Sequence, residues 1–125
     1  MSEEGIDYWE ALFNKKYLRW FHLNGKPSLV EIVRVERDVE MTLRGGHKEK
    51  KPVLHVKQVQ GSIAKDKPLV LNTINGNEIA TIHGPQPSGW PGKRIVLFRD
   101  DTEMYDKKAR RNVMRPCIRV RAPKN

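Results

Sequence analysis

The chain has 125 residues, 38% of them hydrophobic and 31% charged, a size and balance that fit one domain around one modest core. Apolar runs stay as short as residues 95–98 (IVLF), which excludes a transmembrane span or a signal-peptide core, and the lone Cys117 excludes an intramolecular disulfide framework. Lys and Arg number 24 against 15 Asp and Glu, and the resulting +9 is concentrated: residues 1–43 carry −2, residues 44–125 carry +11.

In chain order, the first predicted unit is an N-terminal extension, residues 1–27. Asp7-Tyr8-Trp9-Glu10 reads as a helix start, and Trp9, Leu12, Phe13, Tyr17, Trp20 and Phe21 recur at helical spacing. Six of the nine aromatic residues fall in residues 8–21, which predicts helix docked on the body or an arm for self-association. Asn24-Gly25-Lys26-Pro27 stops it.

From Ser28 the periodicity becomes that of a β-strand. Residues 29–35 form a first strand, and adjacent Ile32 and Val33 break its alternation, the mark of a β-bulge. Residues 44–51 (RGGHKEKK) read as a charged loop, residues 52–58 as a second strand and residues 68–71 as a short third. Asn72-Thr73 offers a helix N-cap, Ile74, Ile79 and Ile82 a helical stripe, and Gly84-Pro85 the stop. Residues 85–92 form a rigid turn with Trp90 as its anchor. Residues 93–98 make a fourth strand and residues 100–111 a long charged loop. The last strand alternates most cleanly, with Met114, Pro116, Ile118 and Val120 on one face and Val113, Arg115, Cys117, Arg119 and Arg121 on the other.

Three strands, a helix, then two strands is the element order of the OB-fold, a five-stranded barrel that manages its edges by closure. The expected fold is therefore mainly β: a five-stranded OB-like barrel over residues 28–125, with one helix between strands 3 and 4 and an N-terminal helical extension.

Catalytic signals are weak. The four histidines lack ligand spacing, no glycine loop cradles a phosphate, and no G-x-S-x-G elbow occurs, so no cofactor and no catalytic residue is expected. Asp38 with Glu49 and Lys51 fits a loose D…E-x-K pattern of metal-dependent nucleases, which stays as an alternative. Binding signals are stronger. In an OB barrel, strands 2 and 3 and the loops joining strands 1–2 and 4–5 form the oligonucleotide groove, and both loops here are basic. The candidate contacts are Lys48, Lys50, Lys51, His55, Lys57, Lys107, Lys108, Arg110, Arg111, Arg115, Arg119 and Arg121 for phosphate, with Tyr105 and Phe98 for base stacking.

The run Lys67-Pro68-Leu69-Val70-Leu71-Asn72, then Asn75, Ile82, Gly84, Trp90-Pro91-Gly92-Lys93-Arg94-Ile95 and Cys117-Ile118-Arg119-Val120-Arg121, resembles a pattern of small phage and prophage proteins. Tyr17-Leu18 with Asn24-Gly25-Lys26-Pro27 fits its start, so the resemblance covers residues 13–121. It implies an OB-like protein associated with phage DNA replication or recombination, in the cytoplasm of a host cell. This chain departs from the pattern at residues 100–111, where a short glycine turn is usual. The expected function is non-catalytic single-stranded DNA binding, without membrane association. The other reading is a protein-interaction or assembly module on the same barrel.

Overall fold

The computed structural model describes residues 16–42 and 46–124; the expectations placed on Asp7 to Phe13 and on Arg44 and Gly45 lie outside them. A 3-10 helix, Trp20–Leu23, precedes β1 (Ser28–Thr42), β2 (Lys48–Gln60), β3 (Leu69–Val70), α1 (Thr73–His83), a 3-10 turn (Pro87–Gly89), β4 (Arg94–Asp106) and β5 (Arg111–Arg121). The described part of the extension is one short 3-10 helix. Its C-cap, Asn24, turns left-handed at φ 54°, and the Leu18 N–H donates to Pro68 O at 2.8 Å. Leu18, Phe21 and Leu23 are spent in the protein's own interior.

All five strands form one antiparallel sheet in the order β3-β2-β1-β4-β5. The expected barrel is not closed. β3 has two residues, both committed to Val53 and Leu54 of β2, and no ladder joins it to β5. α1 and the N-terminal segment lie where the sheet is open: α1 packs on β5, and the first 3-10 helix packs on β4 and β5. The core beneath joins Val30, Ile32, Leu54, Val56, Leu69, Leu71, Ile79, Ile95, Leu97, Ile118 and Val120 with Leu18, Leu23 and Trp90. Burial of that apolar area drives the fold.

α1 begins where the Asn72 side chain accepts from Asn75 N at 2.8 Å and ends at Gly84, φ 98°, whose N–H reaches Ala80 O. Both caps match the expected boundaries. The inner stripe differs by one residue. Ile74 is 57% exposed, while Asn75 and Ile79 are buried, because the helix faces a strand edge whose carbonyl needs a donor. Trp90 is the expected anchor: it is buried, and its Nε1–H donates to Gly84 O at 2.9 Å.

Two expected loops are strands over much of their described length, residues 48–51 in β2 and residues 100–106 in β4. Both hairpins run far past the body, the first to Thr42 and Lys48, the second to Asp106 and Arg111. These segments lack a buried apolar face, so core-facing alternation does not mark them; cross-strand hydrogen bonds and opposed pairs such as Glu40 and Lys50 extend the ladder instead. The bulge expected at Ile32-Val33 is present as a register shift between Ile32 and Arg34, and another falls between Glu36 and Val39, where Asp38 adopts φ 54°.

Candidate nucleic-acid interface

Side chains directly opposed in an antiparallel ladder share a face. Ile118 and Val120 of β5 are buried, so Arg115, Cys117, Arg119 and Arg121 stand on the outer face. Their partners on β4 are Thr102, Asp100, Phe98 and Val96. The Arg121 guanidinium lies 5.1 Å over the Phe98 ring, so this half-buried ring already has a cation on one side. The same face continues across β1 and β2 through Arg94, Glu31 and Lys57, which are opposed in register.

Ion pairs divide this face. The Glu31 carboxylate forms ion pairs with Lys57 at 3.4 Å and with Arg94 at 3.6 Å. Glu36 pairs with His55 at 2.8 Å and Arg34 at 3.7 Å, and the hydrogen bond from His55, helped by Arg34, holds the Glu36 carboxyl below its usual range. His55 and Lys57 therefore have partners within the sheet. Among the described residues, no ion pair within 4.0 Å involves Arg119 or Arg121. They are the cations of this face with charge left to offer.

Beyond residues 94–97, β4 leaves β1 and runs with β5 alone as a two-stranded ribbon. Its turn is built by Asp106. One carboxylate oxygen accepts from the N–H groups of Lys108 (2.8 Å) and Ala109 (3.1 Å), and the other from Arg115 at 2.8 Å. The Asp106 carbonyl accepts from Arg110 N, and Arg110 takes φ 54°. The N–H groups of Ala109 and Lys108, with Arg115, hold the Asp106 carboxyl below the ordinary range. Arg115 is thus neutralised by Asp106, whereas Lys107, Lys108, Arg110 and Arg111 crowd the tip without an ion pair among the described residues.

Tyr105 is 63% exposed and opposes Asn112, on the ribbon face away from the arginine row. Seven residue steps separate it from Phe98, about 24 Å of extended strand. The two expected stacking residues do not share a site.

Lys48, Lys50 and Lys51 belong to the other ribbon, opposed to Thr42, Glu40 and Val39. β1 and β4 are antiparallel and pair only through residues 28–31 and 94–97, so the two ribbons leave that segment in opposite directions. No pairing brings the two basic turns together. Glu49 opposes Met41 on an exposed ladder and Asp38 sits in the bulge; among the described residues no three His, Cys, Asp or Glu side chains gather as a metal cluster. Sequence reasoning missed Arg34 and Arg94 on the outer face, and the alternation of Arg94 with buried Ile95 and Leu97 was the available signal. It also missed Asp106, whose turn-forming role needs only an Asp ahead of two N–H groups.

The arrangement is that of an antiparallel β protein with a covered open side, a partly neutralised basic face and a basic ribbon tip. No helix among the described residues is long and apolar enough to cross a membrane. Comparison with family models, with curated proteins and with solved structures gives no match.

Proposed function

We propose that this protein binds single-stranded DNA without catalysis, on an OB-like fold whose barrel is opened between β3 and β5. The strand order β3-β2-β1-β4-β5, with the helix between β3 and β4, supports this reading, since a five-stranded Greek-key barrel cut at one seam would have it. The observation that carries the reading is the Arg119, Phe98 and Arg121 group: two cations without acidic partners among the described residues flank an aromatic ring on the outer face of the sheet. Phosphates attract the guanidinium groups, and a base stacks on the ring or on the guanidinium plane above it. Arg94 lies two strand-periods from Phe98 on β4, shared with Glu31. The motif resemblance to phage proteins agrees with this reading and adds the replication or recombination context.

The test is a titration of a fluorescent oligo-dT, and of a duplex of equal length, at two salt concentrations with and without Mg²⁺. Salt-sensitive dT binding with no cleavage is expected. Absence of dT binding at low salt overturns the proposal, and Mg²⁺-dependent degradation that stops in Glu49→Ala replaces it with the nuclease reading.

A further inference from the structure

Nine residues of β4, from Phe98 to Asp106, extend past its pairing with β1, a ribbon of about 30 Å. Its charge is graded along its length. Asp100, Asp101 and Glu103 lie at its base and middle, whereas the turn carries Lys107, Lys108, Arg110 and Arg111. Between these zones it exposes apolar side chains that nothing among the described residues covers: Met104, Tyr105 and Met114 are 55%, 63% and 62% exposed. The register places Met104 beside Val113 on one face, and Tyr105 diagonal to Met114 on the other.

We infer that the distal half of the β4–β5 hairpin is an arm that enters a groove of duplex DNA. This goes beyond the single-strand reading and does not depend on it. A single strand laid along the outer face from Arg119 to the tip would have to pass Asp100, which has no ion pair among the described residues and repels phosphate. A duplex whose groove takes only the distal half of the ribbon avoids it. The major groove, about 12 Å wide, admits a two-stranded ribbon. In that pose the four tip cations meet the phosphate ribs on either side. Tyr105 and Met114, on one face, meet base edges and thymine methyl groups, where apolar contact is favourable, and Met104 on the other face packs toward the groove wall. The Asp106 turn serves the same end, since its side chain fixes the backbone of Lys108 and Ala109 and tethers Arg115.

Two variants of the full chain test the arm. Thr102 and Arg115 are directly opposed, so residues 103–114 can be replaced by Asn-Gly, a two-residue turn that closes a hairpin at that point. The second, Met104→Ala with Tyr105→Ala and Met114→Ala, keeps every charge. Both are compared with wild type by anisotropy on dT and on duplex DNA, after thermal melting shows that they fold. Anionic phosphatidylserine vesicles serve as a further probe. The truncation is expected to flatten the duplex salt slope by about 3.6, near 0.9 for each of the four lost phosphate contacts, while dT binding is retained. The triple variant is expected to weaken duplex binding about tenfold, as loss of roughly 1–3 kcal/mol of base contact predicts, with the salt slope unchanged. The inference is overturned if wild type does not bind duplex, if truncation leaves duplex binding intact or lowers dT binding equally, if the triple variant binds like wild type, or if the arm binds vesicles instead. Failure of wild type to bind dT, with arm-dependent duplex binding intact, sinks only the single-strand proposal.

Discussion

The Nδ2 group of Asn75 donates to the backbone carbonyl of Ile118 at 3.0 Å, tying the first turn of α1 to β5 across 43 positions of sequence. It marks the side on which the sheet stays open. β3 is too short to offer β5 a partner ladder, and the carboxamide supplies one of the donors that a closing strand would have supplied. Asn75 is 2% exposed, so the bond forms away from water.

Replacing Asn75 by Leu keeps the branching at Cγ and removes the donor, leaving the Ile118 carbonyl without this partner. The expected loss is roughly 1–3 kcal/mol, measured by urea denaturation. Ile74→Ala, one residue earlier on the exposed face, should cost less than about 0.5 kcal/mol. Equal costs would mean that α1 presents a different face to β5.

Gly61 ends β2 with no room for a side chain. A Cβ there would sit 2.3 Å from Ser28 Oγ and 2.7 Å from Ser28 Cβ, and Ser28 is fully buried at the start of β1. Gly61→Ala therefore forces β1 and the turn apart, at an expected 1–3 kcal/mol, about the range of overpacked cores. The double variant with Ser28→Ala removes the nearer atom only, so denaturation should show partial rescue.

The body was legible in the sequence because its signals are local. Alternation marks Ile118 and Val120, the paired caps Asn72 and Gly84 bound α1, and the adjacent Ile32 and Val33 mark the bulge. What was not legible depends on pairing across the chain. Lys50 finds Glu40 and Tyr105 finds Asn112 only once the hairpins zip, and solvated ribbons carry no hydrophobic period. The outer face was half legible. Its arginine spacing on β5 is periodic, but the neutralisation of Lys57, His55 and Arg115 comes from Glu31, Glu36 and Asp106, whose positions follow from register and turn geometry.

The ribbon turn should respond to acid. Asp106 is held ionised by the N–H groups of Ala109 and Lys108 and by Arg115, so its native pKa lies below its unfolded value of about 3.9. The stabilisation is complete above that unfolded value and is lost as pH falls through the lowered native one. Hydrogen exchange of the Lys108 and Ala109 amides, followed downward from pH 5, should show the tip opening first. In Asp106→Ala these amides should exchange fast at every pH; slow exchange in that variant would mean that the carboxylate does not hold the turn.

The salt dependence of dT binding separates the two basic regions. If Arg119 and Arg121 each neutralise one phosphate of a single strand, Arg119→Gln with Arg121→Gln should flatten the log–log salt slope by about 1.4, near 0.7 per contact. Arg110→Gln with Arg111→Gln, at the ribbon tip, should leave that slope in place and act on duplex DNA instead. Phe98→Leu keeps the half-buried apolar contact and removes the stacking ring. It should weaken dT binding by about 1–3 kcal/mol without changing the slope, since stacking releases no counterion. A slope that drops only with the tip variant would move the single-strand site to the ribbon and leave the outer face of the sheet without that role.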